Sequence, residues 1–543
     1  MPIDVNWLRA DRSGDPHLVR QAQRQRFKAD ADALVDEVLE LDTSWREKTT
    51  CARELHTQLN ALQKDVIARR KKLKEPCDEE LKQAALIREQ LKELELQTLQ
   101  CEKLRDGALG KLGNFVDPSV PISQNEADNE VISTWPSGTS AAHPAHVSHD
   151  DLGRSLLGHD ELLWRIGGYD PERGCKVAGS RGYFLEDAGV LLNQALINFG
   201  LAFLRARGYR AVQPPYFMRK ELMAGVAQLD DFDQQLYKVT KGGQGEVAEE
   251  MEKYLIATSE QPLCAFHAKE VLDAEVLPLR YAGLSTCFRT ELGKAGRENR
   301  GIFRVHQFDK VEQFCITAAD SELSQQMHSE MLRCAEEFYQ SLGVSYRVVK
   351  VVSGELNDAA TMKYDLEGWF AGQGQYRELV SCSNCTDFQS RALDIRYRPA
   401  DPPDKQRPRH VHMLNSTLTA SGRCLCCLLE TYQTSDGVRV PSALVPFMGG
   451  IDFLPFIRGP RQPVEVCKAK VPREPKEPSN LSHIQDLEEK LLHCPYVGGF
   501  EASKDDLNEI SIVKHEDLSK YPNVRRWIEH MNSFTSRELA LLT

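Results

Sequence analysis

The chain has 543 residues, which is too long for one hydrophobic core and predicts several domains. Its net charge of −12 argues against a protein that binds nucleic acid over its whole surface, although a local basic patch is compatible with it. No apolar run approaches the ~20 residues of a membrane helix, and no signal-like segment opens the chain, so we expect a cytoplasmic protein with no membrane partner. The 15 cysteines are an odd number, which favours reduced thiols.

The N-terminal region predicts two long helices that fold back on each other. A short helix is expected near residues 18–27, and no proline or glycine follows until Pro76, while apolar residues recur at coiled-coil spacing. A helix over residues 27–74 has 48 residues and would reach ~70 Å. Pro76 ends it, and a second helical pattern covers residues 79–105. The pattern therefore predicts an antiparallel helical hairpin.

The tip of this hairpin is basic. Its cluster consists of Arg69, Arg70, Lys71, Lys72 and Lys74. Such a cluster suits a nucleic-acid phosphate backbone, but basic residues also simply solvate a helix tip, and the pattern leaves both interpretations open.

Residues 106–180 are rich in loops. Three histidines at spacing three, His143, His146 and His149, could bind a metal weakly, but the surrounding composition favours a solvated linker. From residue 181 the chain becomes compact, with a helix over 185–204, a strand over 209–215 and mainly strands and loops to about residue 456. This order predicts an α+β fold with a largely antiparallel sheet. Neither a phosphate-binding loop of the G-x-x-x-x-G-K-[ST] type nor a G-x-G-x-x-G fingerprint is present.

Residues 287–314 carry the most informative pattern. Two apolar runs flank a charged, glycine-rich segment, which predicts two strands joined by a long loop. Strand alternation would put Arg289 and Glu291 on one face, opposite Phe308. These side chains suit a phosphate, an exocyclic amine and a stacked base, and therefore a nucleotide. A salt-bridged surface hairpin is the alternative.

The C-terminal region begins with five prolines among charges over residues 457–480, a semi-rigid linker. Residues 481–543 then form a small module. It contains a helix N-cap pattern at 503–507 and a helix over 524–534.

Together these features closely resemble the eukaryotic-type cytosolic seryl-tRNA synthetases, a family of class II aminoacyl-tRNA synthetases. The resemblance covers about residues 1–458 and includes the helical hairpin. The first class II motif is similar to residues 187–215, the second to 287–314, and the third to 414–430 with Arg423. The amino-acid-binding signature T-x-E stands at Thr258-Ser259-Glu260.

The resemblance implies an order of domains. It predicts a helical tRNA-binding arm (1–115), a linker and core entry (116–180), a class II catalytic domain with an antiparallel sheet flanked by helices (181–458), a proline-rich linker (459–480) and a small all-helical docking module (481–543). The pieces of this last module resemble the glutathione-S-transferase C-terminal-like domain of translation elongation factor one B subunits. That similarity implies a translation-factor or synthetase-complex partner; a helical tail without a partner is the alternative.

The resemblance also implies a reaction. Serine and ATP would give seryl-adenylate and pyrophosphate, and the seryl group would then move to the 3′-hydroxyl of the terminal adenosine of tRNA(Ser), and of tRNA(Sec) where that tRNA is present. Arg289 would clamp the α-phosphate, and Arg423 would stack on the adenine and reach the γ-phosphate. The implied ATP site comprises Arg289, Thr290, Glu291, Val305, His306, Gln307, Phe308, Glu378, Leu379, Val380, Ser381 and Arg423.

Glu378 and Ser381 would hold Mg²⁺, because this ion prefers hard oxygen ligands. The serine site implied by the resemblance comprises Thr258, Ser259, Glu260, Arg289, Glu312, Asn415 and Thr417, with no ranking between Asn415 and Thr417. A zinc cluster is suggested by the spacing of five cysteines: Cys382, Cys385, Cys424, Cys426 and Cys427. The family does not use zinc, however, and we expect none.

The implied assembly is a homodimer whose arm, with Arg69, Arg70, Lys71 and Lys72 at its tip, reaches tRNA bound by the other subunit. The loop over residues 293–301, with Lys294, Arg297 and Arg300, would meet the incoming tRNA end. Two other hypotheses stay open: a non-catalytic paralogue, which should have lost phosphate ligands, and a class II enzyme for another amino acid.

Overall fold

The computed structural model describes residues 3–73, 76–136, 156–226, 235–239, 252–291, 301–399, 407–461, 480–493 and 521–532. The predictions for residues 137–149, 292–300 and 503–507 and for Lys74 lie outside this part of the chain. The chain divides into two compact units, Met1–Arg461 and Gln462–Thr543.

The first unit begins with the predicted helical arm. Its helices are α1 (Pro16–Gln25), α2 (Ala31–Ala61), α3 (Ala68–Leu73) and α4 (Asp78–Leu109), and a π-helical segment (Leu62–Ile67) joins α2 to α3. Helices α2 and α4 pack against each other, so the predicted hairpin is confirmed. The predicted start at Phe27 is wrong, because Phe27 and Asp30 have φ of 55° and 52°, and this left-handed backbone delays the helix to Ala31.

The base of the arm is fixed to the rest of the unit by Arg26. Its buried guanidinium donates to the carbonyl oxygens of Asn114 (2.6 Å), Asn357 (3.0 Å) and Ala360. Burial lowers the pKa of Arg26 to about 10. These bonds attach α1 to the loop that follows the arm and to residues of the catalytic core.

An eight-stranded sheet forms the centre of the unit. Its strands are β1 (Glu130–Trp135), β2 (Arg210–Val212), β3 (Leu279–Phe288), β4 (Gln307–Thr317), β5 (Tyr346–Lys350), β6 (Met362–Phe370), β7 (Gln375–Asn384) and β8 (His412–Ala420). The order across the sheet is β1-β5-β6-β7-β8-β4-β3-β2, and only the β2–β3 pair is parallel. The predicted α+β fold with a largely antiparallel sheet is confirmed.

The strand β1 comes from the stretch that the sequence predicts to be linker and core entry. It pairs with β5, and its Trp135 ring stacks on Tyr346 at 6.0 Å between centroids. The predicted domain boundaries themselves stay predictions.

Further helices surround the sheet. They are α5 (His159–Arg165), α6 (Pro171–Ala178), α7 (Asp187–Arg205), α8 (Lys220–Met223), α9 (Glu260–Cys264), α10 (Ser321–Ser341), α11 (Phe388–Leu393) and α12 (Ser421–Thr431). By length and composition α7 is apolar enough to cross a membrane, contrary to the sequence-based expectation. Here its apolar side chains, Leu192 and Leu196 among them, pack into the core between α7 and the sheet.

Short strands complete the first unit. They pair in small sheets: Tyr169–Asp170 with Phe184–Leu185; Phe217–Arg219 with Lys253–Leu255 and Lys238–Val239; Val271–Asp273 with Arg396–Arg398 and Arg409–His410; and Gly437–Arg439 with Phe453–Pro455.

The second unit contains two described helices, α13 (Asn480–His493) and α14 (Pro522–Asn532). The α14 helix begins two residues before the predicted start, because Pro is favourable in the first turn of a helix. Glu488 on α13 accepts hydrogen bonds from the backbone N–H groups of Asn523 (3.0 Å) and Val524 (2.8 Å) and so caps α14. Trp527 is buried in this helix pair.

Candidate active site

The hairpin of β3 and β4 forms one wall of the site. The predicted strand pair is confirmed, with Gln307 opposite Phe288 at the end where the loop joins the two strands. The expectation that strand alternation aligns Arg289 with Glu291 is wrong, because β3 ends at Phe288 and Glu291 has a φ of 48°. The two side chains still converge: Arg289 is held by a backbone bond from its N–H to the His306 carbonyl (2.9 Å), and both line one cavity.

This cavity, here called the hairpin cavity, collects much of the predicted ATP site. Predicted residues in its wall are Arg289, Glu291, Val305, Phe308, Glu378, Leu379, Thr417 and Arg423. Residues that the sequence-based prediction missed are Ile302, Phe303, Arg304, Lys310, Ala420 and Gly422. The chain brings them together from four places: the β3–β4 hairpin, β7, β8 and the first turn of α12.

Two aromatic rings contact the arginines in and beside the hairpin cavity, of which Arg289 and Arg423 lie in its wall. The guanidinium carbons of Arg377 and Arg423 lie 4.7 and 4.9 Å from the centroid of Phe303, and that of Arg289 lies 5.4 Å from the centroid of Phe308. Phe303 packs in turn edge-on against Phe370 at 5.4 Å. The rings thus place planar cations around a cavity suited to phosphate groups.

The two predicted acids of the hairpin cavity are paired. Arg423 Nη1 lies 3.3 Å from Glu378 Oε2, and 48% of the Glu378 side chain is exposed. Burial alone would raise the pKa of Glu378, but Arg423, Lys363 and Arg289 outweigh it and hold the pKa below its ordinary value. Glu378 is therefore an anion that faces the cavity.

Glu291 is bound from two sides. Arg304 Nε lies 2.5 Å from its carboxylate, and Arg181 donates to its carbonyl oxygen at 2.8 Å. Neither Arg181 nor Arg304 was predicted. Arg181 is far from Glu291 along the chain, so no local sequence pattern could have indicated this contact.

Oxygen donors gather beside Glu378. On the neighbouring strand β6, Asp365 is the register partner of Ser381, and Glu367 is that of Glu378. Asp365 Oδ1 is buried and has no hydrogen-bond partner among the described residues. Burial, with Glu378 and Glu367 nearby, raises the pKa of Asp365 to about 7 although Lys363 opposes the shift. Carboxylate and hydroxyl oxygens are the donor type that a hard divalent cation prefers, although among the described residues no group of three or more His, Cys, Asp or Glu side chains is arranged to hold a metal ion.

A second, larger cavity of about 550 Å³, here called the arm-side cavity, opens toward the base of α4. Thr258, Glu260 and Arg289 lie in its wall, together with Asp106 of α4 and Asn357 of the loop held by Arg26. Arg289 therefore lines both cavities, with part of the implied ATP site in the hairpin cavity and Thr258 and Glu260 of the implied serine site in the arm-side cavity.

Buried charges link the T-x-E signature to β4. Thr258 Oγ1 donates to Glu312 Oε2 at 3.4 Å and accepts from the Glu260 N–H at 3.2 Å. Lys310 forms an ion pair with the same Glu312 oxygen, and both side chains are at least nine-tenths buried. Lys310 was missed, although strand alternation from Phe308 through Lys310 to Glu312 could have found it.

Glu260 is held by two side-chain amides. Its Oε1 accepts from Gln389 Nε2 at 2.9 Å and from Asn415 Nδ2 at 3.0 Å. Burial and the neighbouring Glu312 raise the pKa of Glu260 to about 7, against the opposing effects of Gln389, Lys310 and Arg289. Asn415 thus contacts the T-x-E glutamate, whereas Thr417 lines the hairpin cavity.

The structure does not bring every predicted residue to a cavity wall. Ser259 is buried and donates to the Gly283 carbonyl at 3.4 Å, and Val380 is part of the hydrophobic core. His306 and Thr290 make backbone-directed bonds at the mouth of the hairpin, to Arg289 and Gln235. The Gln307 side chain is exposed, while its carbonyl accepts from Tyr183 at 3.1 Å.

At the tip of the arm, Arg70 lies 2.8 Å from Glu80 and donates to the Pro76 carbonyl at 3.2 Å. Lys72 is exposed. The side chains of Arg69 and Lys71 lie outside the described part of the chain.

Two family profiles match this chain. The profile described as "tRNA synthetase class II core domain (G, H, P, S and T)" matches residues 237–432, and the "Seryl-tRNA synthetase N-terminal domain" matches residues 3–116. The first match contains both cavity-forming hairpin strands and the first turn of α12, and the second contains the helical arm.

Relatives that cover most of this chain agree with the profiles. The cytoplasmic serine–tRNA ligase of Arabidopsis thaliana is 46% identical over 454 residues, which cover 84% of this chain and 96% of the relative. A solved structure of the cytoplasmic enzyme from Naegleria fowleri in complex with AMP is 43% identical, with a TM-score of 0.71 and coverage of 84% and 99%. A seryl-tRNA synthetase from Pyrococcus horikoshii, complexed with ATP, is 38% identical, with a TM-score of 0.73 and coverage of 84% and 100%.

Proposed function

The chain belongs to the seryl-tRNA synthetase family, and from this premise we propose that it is a cytoplasmic serine–tRNA ligase. In the first step, a carboxylate oxygen of L-serine attacks the α-phosphorus of ATP, and pyrophosphate leaves. In the second step, the 3′-hydroxyl of the terminal adenosine of tRNA(Ser) attacks the seryl carbonyl carbon, and AMP leaves. The observation that carries the proposal is that Arg289 lines both the hairpin cavity and the arm-side cavity.

Arg289 is suited to bring the two substrates together. With ATP in the hairpin cavity and serine in the arm-side cavity, its guanidinium would lie where negative charge develops on the α-phosphate. The serine carboxylate is itself the nucleophile, so the first step requires no general base from the protein. Catalysis then consists of positioning and charge neutralisation.

The other charged residues divide between the substrates. Phe308 would stack on one face of the adenine and Arg423 on the other, while Glu291 would accept from the adenine amine. On the serine side, Glu260 and Glu312 are carboxylates suited to the substrate ammonium. Relatives solved with AMP and ATP support a nucleotide in this family's core.

The oxygen donors beside Glu378 are of the type that Mg²⁺ prefers. Glu378 and Ser381 would hold the ion, and the partnerless Asp365 oxygen marks a third hard donor next to them. When bound, Mg²⁺ neutralises phosphate charge in such reactions.

The helical arm is suited to tRNA. Its tip carries the basic cluster of Arg69, Arg70, Lys71 and Lys72, of which Lys72 is exposed, and long arms recognise shape and phosphates better than single bases. We expect contacts with tRNA(Ser), and with tRNA(Sec) where it is present. The loop over 293–301 stays the predicted contact for the tRNA end.

We further propose a homodimer and a docking role for residues 481–543. Exposed apolar side chains at Phe184, Val190 and Leu191, near the start of α7, support a subunit contact. The apolar side chains buried between α13 and α14, Trp527 among them, support a small folded module in this second unit. Sedimentation of the full chain tests the dimer, and affinity capture by full-length chain compared with a chain ending at residue 461 tests the docking role.

Serine-dependent exchange of pyrophosphate into ATP tests the function. The proposal predicts exchange with purified protein and L-serine, which Arg289→Ala abolishes. A matched control is Arg207→Ala, which changes an exposed arginine that is paired with Glu337 and lines neither cavity. Absence of exchange would support the non-catalytic paralogue, and faster exchange with another amino acid would support a different class II specificity.

A further inference from the structure

Gln389 occupies a position in the amino-acid end of the site that neither the T-x-E signature nor the class II motifs assign. It lies in the first turn of α11, and only 1% of the residue is exposed. It nevertheless belongs to the wall of the arm-side cavity, together with Thr258, Glu260 and Arg289.

The hydrogen bond to Glu260 fixes which way the Gln389 amide faces. In its ionised form, which the ammonium of bound serine requires, the Glu260 carboxylate can only accept, so the nitrogen of the amide faces it, and Nε2 lies 2.9 Å from Glu260 Oε1. The same oxygen also accepts from Asn415 Nδ2 at 3.0 Å, and one carboxylate oxygen can accept from two N–H donors. The carbonyl oxygen of Gln389 therefore has to face elsewhere.

That carbonyl oxygen has no protein partner. Gln389 Oε1 is buried and makes no hydrogen bond to any residue that the structure describes. Buried polar atoms are nearly always satisfied in folded proteins, and an exception next to a substrate cavity points to a ligand donor. Serine carries four such donors, three on its ammonium and one on its hydroxyl.

We propose that Gln389 is a further serine-binding residue: its Oε1 accepts a hydrogen bond from the ammonium or hydroxyl of bound serine, while its Nε2 orients Glu260. This inference rests on the proposed serine activation and deepens it. The two halves of one amide thereby hold the substrate directly and position the carboxylate that binds it. A site whose polar groups are completed by the substrate also disfavours analogues that lack the donor.

Steady-state pyrophosphate exchange with Gln389→Met in the full-length chain tests the proposal. Methionine keeps the volume of glutamine but removes both polar atoms. The KM for serine should rise by about tenfold or more, because the variant loses the hydrogen bond to serine and the hydrogen bond to Glu260. The KM for ATP should stay within about twofold. Gln433→Met is the matched control, since Gln433 is equally buried but bonds to Leu157 and Glu430 outside the cavity.

A second variant keeps the test valid if the methionine variant fails to fold. Gln389→Glu preserves the shape and one acceptor oxygen but sets a second carboxylate against Glu260, and it should raise the serine KM at least as much. Exchange with alanine separates the two donors: weaker discrimination between serine and alanine in Gln389→Met assigns the hydroxyl, and unchanged discrimination assigns the ammonium.

The inference and the proposed function fail in different ways. If wild-type protein exchanges pyrophosphate with serine but a folded Gln389 variant keeps its serine KM within about twofold, the role of Gln389 is wrong. If wild-type protein shows no serine-dependent exchange, the proposed function is wrong. Equal rises in the KM for serine and for ATP would also overturn the inference, because they indicate a general structural role.

Discussion

Lys310 and Glu312 form a buried ion pair two residues apart on the same strand, and the hydroxyl of Thr258 donates to the same carboxylate oxygen. Only 7% of the Lys310 side chain and 2% of the Glu312 side chain are exposed. The carboxylate that the family resemblance assigns to serine is therefore already neutralised within the protein. On the proposed function, the ammonium of serine would be a second cation beside a carboxylate that Lys310 already pairs, so its binding would not bury an unpaired charge.

Removal of Lys310 should therefore be costly. In Lys310→Met the Glu312 carboxylate stays buried without its cation, and we expect a loss of ~3–5 kcal/mol in the free energy of unfolding. Chemical denaturation followed by fluorescence measures it. In the control Arg24→Met, which breaks the exposed Arg24–Asp32 pair, the midpoint should not move. A Lys310→Met midpoint equal to that of wild type would contradict the burial of this pair.

The raised pKa of Glu260 predicts a pH dependence of stability. The folded-state pKa of about 7 lies above the ordinary value of 4.5, so the folded protein holds this proton more tightly than the unfolded chain. Its contribution to stability is fully present below pH 4.5 and is lost as the pH rises to about 7. Between pH 5 and 8 wild-type protein should therefore lose on the order of 1–2 kcal/mol more unfolding free energy than Glu260→Gln.

Denaturation curves at the two pH values measure this difference. The matched control is Glu337→Gln, which removes an exposed carboxylate paired with Arg207. Identical losses in wild type and Glu260→Gln would show that this group does not carry the pH dependence.

The same group predicts a pH dependence of serine binding. Serine's ammonium requires the ionised form of Glu260, so the KM for serine should fall as the pH rises through about 7. The KM for ATP should not follow that profile. Measurements of both constants by pyrophosphate exchange from pH 6 to 8 check this, and a flat serine profile would be evidence against a raised pKa.

Phe303 contacts Arg423, which lines the hairpin cavity, and its replacement should therefore affect ATP more than serine. Phe303→Leu removes the ring that contacts Arg377 and Arg423. Of these two arginines Arg423 lines the hairpin cavity, and loss of its cation–π stabilisation of ~0.5–1 kcal/mol should raise the KM for ATP about two- to fivefold. The serine KM should stay near that of wild type. Phe199→Leu, which removes a ring stacked on Phe338 instead, is the control. A larger effect on serine than on ATP would contradict this arrangement.

The basic tip of the arm should matter only for the second substrate. Replacement of Arg69, Arg70, Lys71 and Lys72 by alanine should raise the KM for tRNA by tenfold or more at low salt, because each phosphate contact releases counterions. Pyrophosphate exchange by the same variant is the internal control and should be unchanged. A similar loss in both assays would mean that the tip is needed for the fold of the protein and not for tRNA.

The sequence by itself determined the parts of this protein that depend on local pattern. Unbroken apolar spacing and Pro76 predicted the helical hairpin, and apolar runs around a charged segment predicted the β3–β4 pair. The resemblance to a family supplied Arg289, Glu291 and Arg423 because these residues stand in contiguous motifs. Helix starts were less accurate, since Phe27 and Asp30 adopt a left-handed backbone that no periodicity signals.

Only the tertiary structure decided which distant groups share one cavity. Gln389 contacts Glu260 across 129 residues of chain, and Arg181 reaches Glu291 across 110, so no local spacing could connect them. Ser259, inside the T-x-E signature, turns to the sheet instead, because neighbouring residues in a turn face different sides. Side-chain partners over such distances are set by strand order and helix packing, and these depend on the whole core.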